Sequence, residues 1–161
     1  MSIIVRPSTK ADFAAVDSLL ARSYPILLKP DYPPSVLVTA LPIISRAQPE
    51  LIDCGTYYVA VENEQVLGAG GWTRDRMRDD KGHIRHVVTD DRALRRGVGR
   101  SILSHTIDTA RQSGVAELEC SSTLTAIQFY ASLGFEVEKS FVIELAPGIQ
   151  FPAVKMRQFL I

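Results

Sequence analysis

Hydrophobic positions recur along this chain now at helical and now at strand spacing, and the switches between the two mark out its elements. Residues 3–6 form a short β-rich run, after which Thr9-Lys10-Ala11-Asp12 has the form of a capping box ahead of Phe13, Val16, Leu19 and Leu20 at helical spacing. A strand and then an amphipathic helix are predicted there. Between residues 24 and 53 prolines stand at Pro25, Pro30, Pro33, Pro34, Pro42 and Pro49. Because proline opens helices but breaks their interiors, this stretch is predicted to form short helical pieces and turns. Residues 56–62 and 66–73 read as an antiparallel pair joined by the loop Asn63-Glu64-Gln65. Residues 74–81 are charged at every position except Met77 and read as a solvated loop tip, with a regulatory or partner-binding role as the alternative. A strand over 83–89 follows, then a helix over 97–113 with Val98, Ile102, Leu103, Thr106 and Ala110 on one face and Gly114 as its stop. A strand over 117–120, a helix over 125–133 closed by Gly134, and strands over 135–145 and 153–160 complete the chain. This order predicts an α/β sheet covered by helices, with a parallel crossover through residues 97–113.

The 161 residues are 46% hydrophobic and 22% charged. That is ordinary globular usage, and with no repeat, low-complexity tract or linker a single domain over residues 1–161 is expected. The 18 Lys plus Arg balance 18 Asp plus Glu, which removes any general attraction to nucleic acid or an anionic membrane surface. A nucleic-acid site built on Arg74, Arg76, Arg78, Arg85, Arg95 and Arg96 is opposed by Asp75, Asp79, Asp80, Asp90 and Asp91 close by. The richest apolar stretch, residues 36–44, is interrupted by Thr39 and Pro42 and falls short of the roughly 18 residues of a membrane span. The first residues carry neither a basic leader nor an apolar segment with a small-residue cleavage site, and Cys54 and Cys120 stand alone, outside any Cys-x-x-Cys or His-rich context. A cytoplasmic protein with free thiols, no disulfide framework and no metal is expected.

The most specific local feature is Leu94-Arg95-Arg96-Gly97-Val98-Gly99-Arg100, where a strand hands over to a helix. The first backbone N–H groups of a helix lack intrahelical partners and its dipole favours negative charge. Gly97 and Gly99 let an anion approach the backbone, and Arg95, Arg96 and Arg100 add charge not neutralised within the turn. Two glycines that merely permit a tight turn are the alternative. A Walker A loop would need Gly-Lys followed by Ser or Thr, which is absent, and a dinucleotide fingerprint would need glycine where Ile102 stands.

Residues 83–135 resemble the GNAT superfamily of acyl-CoA-dependent N-acetyltransferases, whose phosphate signature is Arg/Gln-x-x-Gly-x-Gly/Ala after a central strand. Residues 94–99 match it except at Leu94. Thr125-Ala126-Ile127-Gln128-Phe129-Tyr130-Ala131-Ser132-Leu133-Gly134-Phe135 is similar to the family's Asn-Ala-x-x-Phe-Tyr-x-x-x-Gly-Phe segment, with Thr125 at the Asn place. The resemblance implies a GNAT-like α/β fold, a mixed, mostly antiparallel sheet flanked by helices on both faces. It also implies acetyl-CoA as co-substrate. The pyrophosphate is then expected on the N–H groups from Leu94, Arg95 and Arg96 through Gly97, Val98, Gly99 and Arg100, and the pantetheine arm along the strand edge at Val87, Val88 and Thr89, with Thr125 also at the cofactor.

The same resemblance aims Tyr130 at the CoA sulfur, where a phenol of pKa about 10 keeps its proton at neutral pH and can serve as general acid. It places His83 where many relatives carry a catalytic or water-orienting Glu, making His83 the expected base, directly or through water, with His86 the alternative. In a regular strand those two histidines face opposite ways, but relatives often carry a bulge here. His105 reads as structural. A strand N–H near Val87 or Val88 is the expected oxyanion donor. The expected reaction is acetyl transfer to a primary amine by direct attack in a ternary complex, and the acceptor is left open among a small molecule, a peptide N-terminus and a lysine side chain. Residues 24–53 are expected to form the acceptor wall, and homodimers occur among relatives. A non-catalytic acyl-CoA-binding sensor or interaction domain of the same fold is the alternative.

Overall fold

Asn63 and Glu64 both have positive φ, 52° and 65°, the left-handed pair that a two-residue type I′ turn requires. Glu62 therefore pairs directly with Gln65, and the loop between these strands is one residue shorter than the spacing predicts. A computed structural model describes residues 2–160. In chain order its elements are β1 (Ile4–Pro7), a 3-10 turn (Lys10–Asp12), α1 (Phe13–Leu28), α2 (Pro34–Ile44), α3 (Pro49–Ile52), β2 (Tyr57–Glu62), β3 (Gln65–Arg74), β4 (Lys81–Thr89), α4 (Val98–Gln112), β5 (Glu117–Ser122), α5 (Ile127–Ser132), β6 (Glu136–Ala146) and β7 (Ile149–Phe159). The seven strands form one sheet in the order β1-β2-β3-β4-β5-β7-β6. β4 and β5 run parallel across the α4 crossover, and the other neighbours are antiparallel. This is the mixed, mostly antiparallel α/β sheet expected.

Each face of the sheet carries its own core. On one, Val98, Ile102 and Leu103 of α4 pack with Tyr58, Trp72, Ile84 and Leu118. On the other, Val16, Leu19 and Leu20 of α1 and Leu37 and Ala40 of α2 pack with Tyr57, Val59, Ala69 and Val88. The α1 side is pinned at its start by Asp12, whose carboxylate accepts from the Thr9 N–H at 2.8 Å and from both terminal nitrogens of Arg6 at 2.8 and 2.9 Å. At the start of the β2–β3 ladder, a Cβ on Gly71 would lie 2.1 Å from the carbonyl oxygen of Thr56, the residue before β2. Neither backbone can yield without breaking the ladder. Gly71→Ala should therefore cost about 3 kcal/mol, read from its denaturation midpoint at unchanged m-value.

The prolines act differently from expectation. Pro34 and Pro49 open α2 and α3, but Pro25 and Pro42 lie inside α1 and α2. A proline deprives the carbonyl four residues earlier of its donor. Here those residues are Ala21 and Val38, both exposed, so water can take the bond. β7 also begins four residues before the predicted start. Its Pro152 pairs with Val142 of β6, while pairing with β5 begins only at Val154. No ladder needs the missing N–H there.

Candidate active site

β4 and β5 pair only from Lys81–His83 against Glu117–Glu119 and then part. The cause lies in β4. Arg85 is opposite Gly71 and Val88 opposite Ala69, so His86 and Val87 together face the single residue Gly70. His86 sits at φ 48°. Its carbonyl accepts from the Tyr57 hydroxyl at 2.7 Å, and the Val87 carbonyl accepts from the Tyr24 hydroxyl at 2.8 Å. Such a bulge bends the strand, and the wedge between β4 and β5 opens a cleft of about 1300 Å³.

Next to the cleft, which reaches Leu94, lies the glycine turn. The first bond of α4 runs from the Ser101 N–H to the Gly97 carbonyl, 2.9 Å, which leaves the N–H groups of Val98, Gly99 and Arg100 without intrahelical partners. Gly97 has φ 79° and Arg95 φ 66°. A Cβ on Gly99 would come within 3.1 Å of the Phe129 ring and the Thr89 hydroxyl, so this glycine lets α4 seat against β4 and α5. Leu94 is half exposed and lines the cleft with Thr125. The charge of the turn is smaller than the sequence suggests. Arg96 bonds both carboxylate oxygens of Glu62 at 2.7 Å, a partner brought from β2. Arg95 has no ion pair among the described residues, and Arg100 donates to the Ser132 hydroxyl at 3.2 Å.

The Asp90 N–H donates to the Leu67 carbonyl at 2.8 Å. By antiparallel alternation Val88 turns its backbone groups to β3, whereas Thr89 and Val87 turn theirs away, toward the cleft. The Val88 side chain packs into the α1 layer.

Tyr130 lines the middle of the cleft, 6% exposed, with its ring edge-on to Phe129 and Phe135. Burial pushes its phenol well above the ordinary value. Its hydroxyl has no protein partner among the described residues. Cys120 of β5 lines the cleft beside it, and burial pushes that thiol up to about 12.

At the far end, His83 Nε2 meets the Asp75 carboxylate at 2.7 Å, and Nδ1 lies 3.9 Å from Glu119 Oε2. The His83 bond, helped by the N–H groups of Met77 and Arg78, holds the Asp75 carboxyl down at about 2. Burial alone would raise Glu119, but hydrogen bonds from Lys81 at 2.7 Å and Lys155 at 3.1 Å outweigh it and hold it below its ordinary value. The sequence reading assigns no site role to Asp75, Glu119 or Tyr57, and places Tyr24 only at the start of the acceptor wall. Asp75 hid in a charged stretch that reads as solvated loop, although the Thr73–His83 pairing continues to its N–H bond with the Lys81 carbonyl.

The bulge also turns both histidines to the cleft. His86 Nε2 donates to the Ile44 carbonyl at 2.8 Å, and burial lowers its pKa despite that bond. The unfolded chain, with an ordinary value of about 6.5, then takes up this proton first, so stability falls as pH drops below about 6.5. His86→Asn, with a residue that tolerates positive φ, should flatten the melting-temperature slope between pH 5 and 6.5. An unchanged slope would remove His86 as its source.

No helix among the described residues is long and apolar enough to cross a membrane, and no group of three or more His, Cys, Asp or Glu stands ready for a metal. No curated protein matches the chain by sequence. Solved structures do match its fold. The PaiA N-acetyltransferase of Thermoplasma acidophilum, in complex with coenzyme A, superposes with TM-score 0.78 over 99% of both chains at 13% identity. A GCN5-related N-acetyltransferase from Rhodopseudomonas palustris gives 0.84 over 99% of this chain and 97% of that one at 15% identity. The ribosomal-protein-S18-alanine N-acetyltransferase of Escherichia coli gives 0.68 over 99% and 94% at 18% identity. A family model described as an acetyltransferase (GNAT) domain matches residues 30–156, and with that span the chain belongs to the GNAT acetyltransferase family.

Proposed function

We propose that the protein transfers an acetyl group from acetyl-CoA to a primary amine by direct attack in a ternary complex. The observation that carries this reading is one cleft lined by Thr89 and Leu94 beside the glycine turn, by Tyr130, and by His83 with its Asp75 partner. Its residues fit an acyl-CoA. The N–H groups of Val98, Gly99 and Arg100, with Arg95 and Arg100 alongside, suit a pyrophosphate. The outward backbone of Thr89 and the outward N–H of Val87, whose carbonyl is taken by Tyr24, suit the amides of a pantetheine arm, and Thr125 lines the same cleft. When bound, the thioester supplies an activated acyl carbon.

The chain's own groups then divide the proton work. Tyr130 keeps its proton at neutral pH and offers a donor from a largely buried side chain, where it can support charge developing on a sulfur. Asp75, ionised, can only accept, so His83 Nε2 carries the proton of that bond and Nδ1 is left as an acceptor. Nδ1 and Glu119 Oε2 are both acceptors 3.9 Å apart, a gap that suits an amine N–H. Taking a proton from that amine is the role we assign to His83, as general base.

Thiol release from acetyl-CoA across a panel of primary amines tests this. Amine-dependent release is expected. Tight acetyl-CoA binding without release for any amine would instead favour a non-catalytic acyl-CoA-binding domain.

A further inference from the structure

The charges that line the acceptor end of the cleft are largely committed. Asp75 holds His83, and Glu119 is held by Lys81 and Lys155. Arg74 is occupied by the Asp79 and Ser113 carbonyls. Left without ionic partners among the described residues are Arg85 and Arg76 on the β3–β4 side and Glu50 across the opening on α3.

Arg85, although exposed, is the one of these that a side-chain hydrogen bond orients. It lies two residues from His83 on β4 and lines the same cleft. Its Nε donates to the Thr73 hydroxyl at 2.8 Å, which fixes the plane of the guanidinium. The two terminal nitrogens have no acceptor among the described residues. The residue as a whole is exposed, but partial burial of the guanidinium, and then repulsion from Arg76, lower its pKa below the ordinary arginine value against the weaker pull of Asp75 and Glu119, neither of which stands at ion-pair distance. A guanidinium held in plane with its fork free matches a carboxylate through two parallel hydrogen bonds.

The walls beside it are apolar. Leu28 and Ile44 stand on the helical side, and Phe141, Ile143 and Phe151 on the side of β6 and β7. An alternate residue on a strand lies about 6.6 Å along it, so the fork of Arg85 and the base His83 are separated by only a few bond lengths of ligand.

We infer that the acceptor is an amine carrying a carboxylate on an apolar body, with the carboxylate on Arg85 and the amine against His83 and Glu119. A single fixed guanidinium suits a monoanion better than a phosphate dianion, which calls for more charge than Arg76 alone would add. The identity of the reacting amine rests on the acetyl-transfer reading, whereas the carboxylate subsite does not.

The subsite is tested with ligands that have no amine. The full chain is titrated calorimetrically with 3-phenylpropionate, 3-phenylpropanamide and 2-phenylethyl phosphate. The acid should bind at least about tenfold tighter than the amide, as expected for a charge-assisted pair. That preference should vanish in Arg85→Gln and persist in Arg111→Gln on the distant face of α4. An unchanged melting temperature of Arg85→Gln shows that its fold is intact. Equal binding of acid and amide overturns the inference. So does undiminished acid binding by the variant, tighter binding of the phosphate, or failure of the acid to bind at millimolar concentration. Acetyl transfer to phenylalanine, phenylalaninamide and 2-phenylethylamine is then compared. Equal turnover of all three defeats the inference and leaves acetyl transfer standing. Acid binding with no turnover of any amine leaves the carboxylate subsite standing and defeats acetyl transfer.

Discussion

Tyr130→Phe should lower kcat by about 10²–10³, the loss typical of removing one donor from developing charge. The substitution takes away a single oxygen. The Phe129 and Phe135 edge contacts involve the ring, which phenylalanine keeps, so packing and melting temperature should change little. Acetyl-CoA affinity should also hold, because the proposed anchors at Val98, Gly99, Arg100, Val87 and Thr89 lie elsewhere. A fall in kcat with an unchanged KM for acetyl-CoA is the signature of an interaction made in the transition state. Since burial raises the phenol pKa, the hydroxyl stays protonated throughout the working range. The variant should therefore lower the pH profile without moving its limbs. Full turnover by Tyr130→Phe would remove the residue as proton donor.

Much of this fold was legible because its local signals agree with its tertiary ones. The helix face Val98, Ile102, Leu103, Thr106 and Ala110 is the buried face of α4, and the Gly114 stop follows it as expected. The geometry of the glycine turn was legible because it is local: Gly97 and the three N–H groups without intrahelical partners belong to consecutive residues. The acceptor end could not be read in the same way. His83, Asp75 and Glu119 come from β4, the loop before it and β5, and they meet only because β4 and β5 pair in parallel register over three residues. Nor does sequence spacing reveal that Glu62 of β2 neutralises Arg96. The bulge at His86 is the sharpest case. Simple alternation puts His83 and His86 on opposite faces, and one inserted residue reverses that. The phenols that hold it, Tyr24 and Tyr57, act from an α-helix and a strand far away in the chain.

The His83–Asp75 pair should behave as one unit. His83→Ala removes the proposed base and should lower kcat/KM about 10²–10³-fold near pH 7, within the range for general base catalysis. Asp75→Asn leaves the imidazole but replaces an acceptor-only carboxylate with an amide that can also donate. Nε2 is then no longer held as the protonated nitrogen, and Nδ1 is no longer reserved as acceptor, so activity should fall about tenfold to a hundredfold. If Asp75 acts only by orienting His83, the double variant should be no worse than His83→Ala, because the second change has nothing left to act on. Losses that multiply would mean that Asp75 works independently, for instance by attracting the ammonium form of the acceptor. Salt separates the two. Attraction weakens as screening shortens toward 3 Å at 1 M, whereas a tautomer fixed by a 2.7 Å contact does not. The rate deficit of Asp75→Asn should accordingly persist at high ionic strength, and its disappearance there would assign Asp75 to steering instead of proton placement.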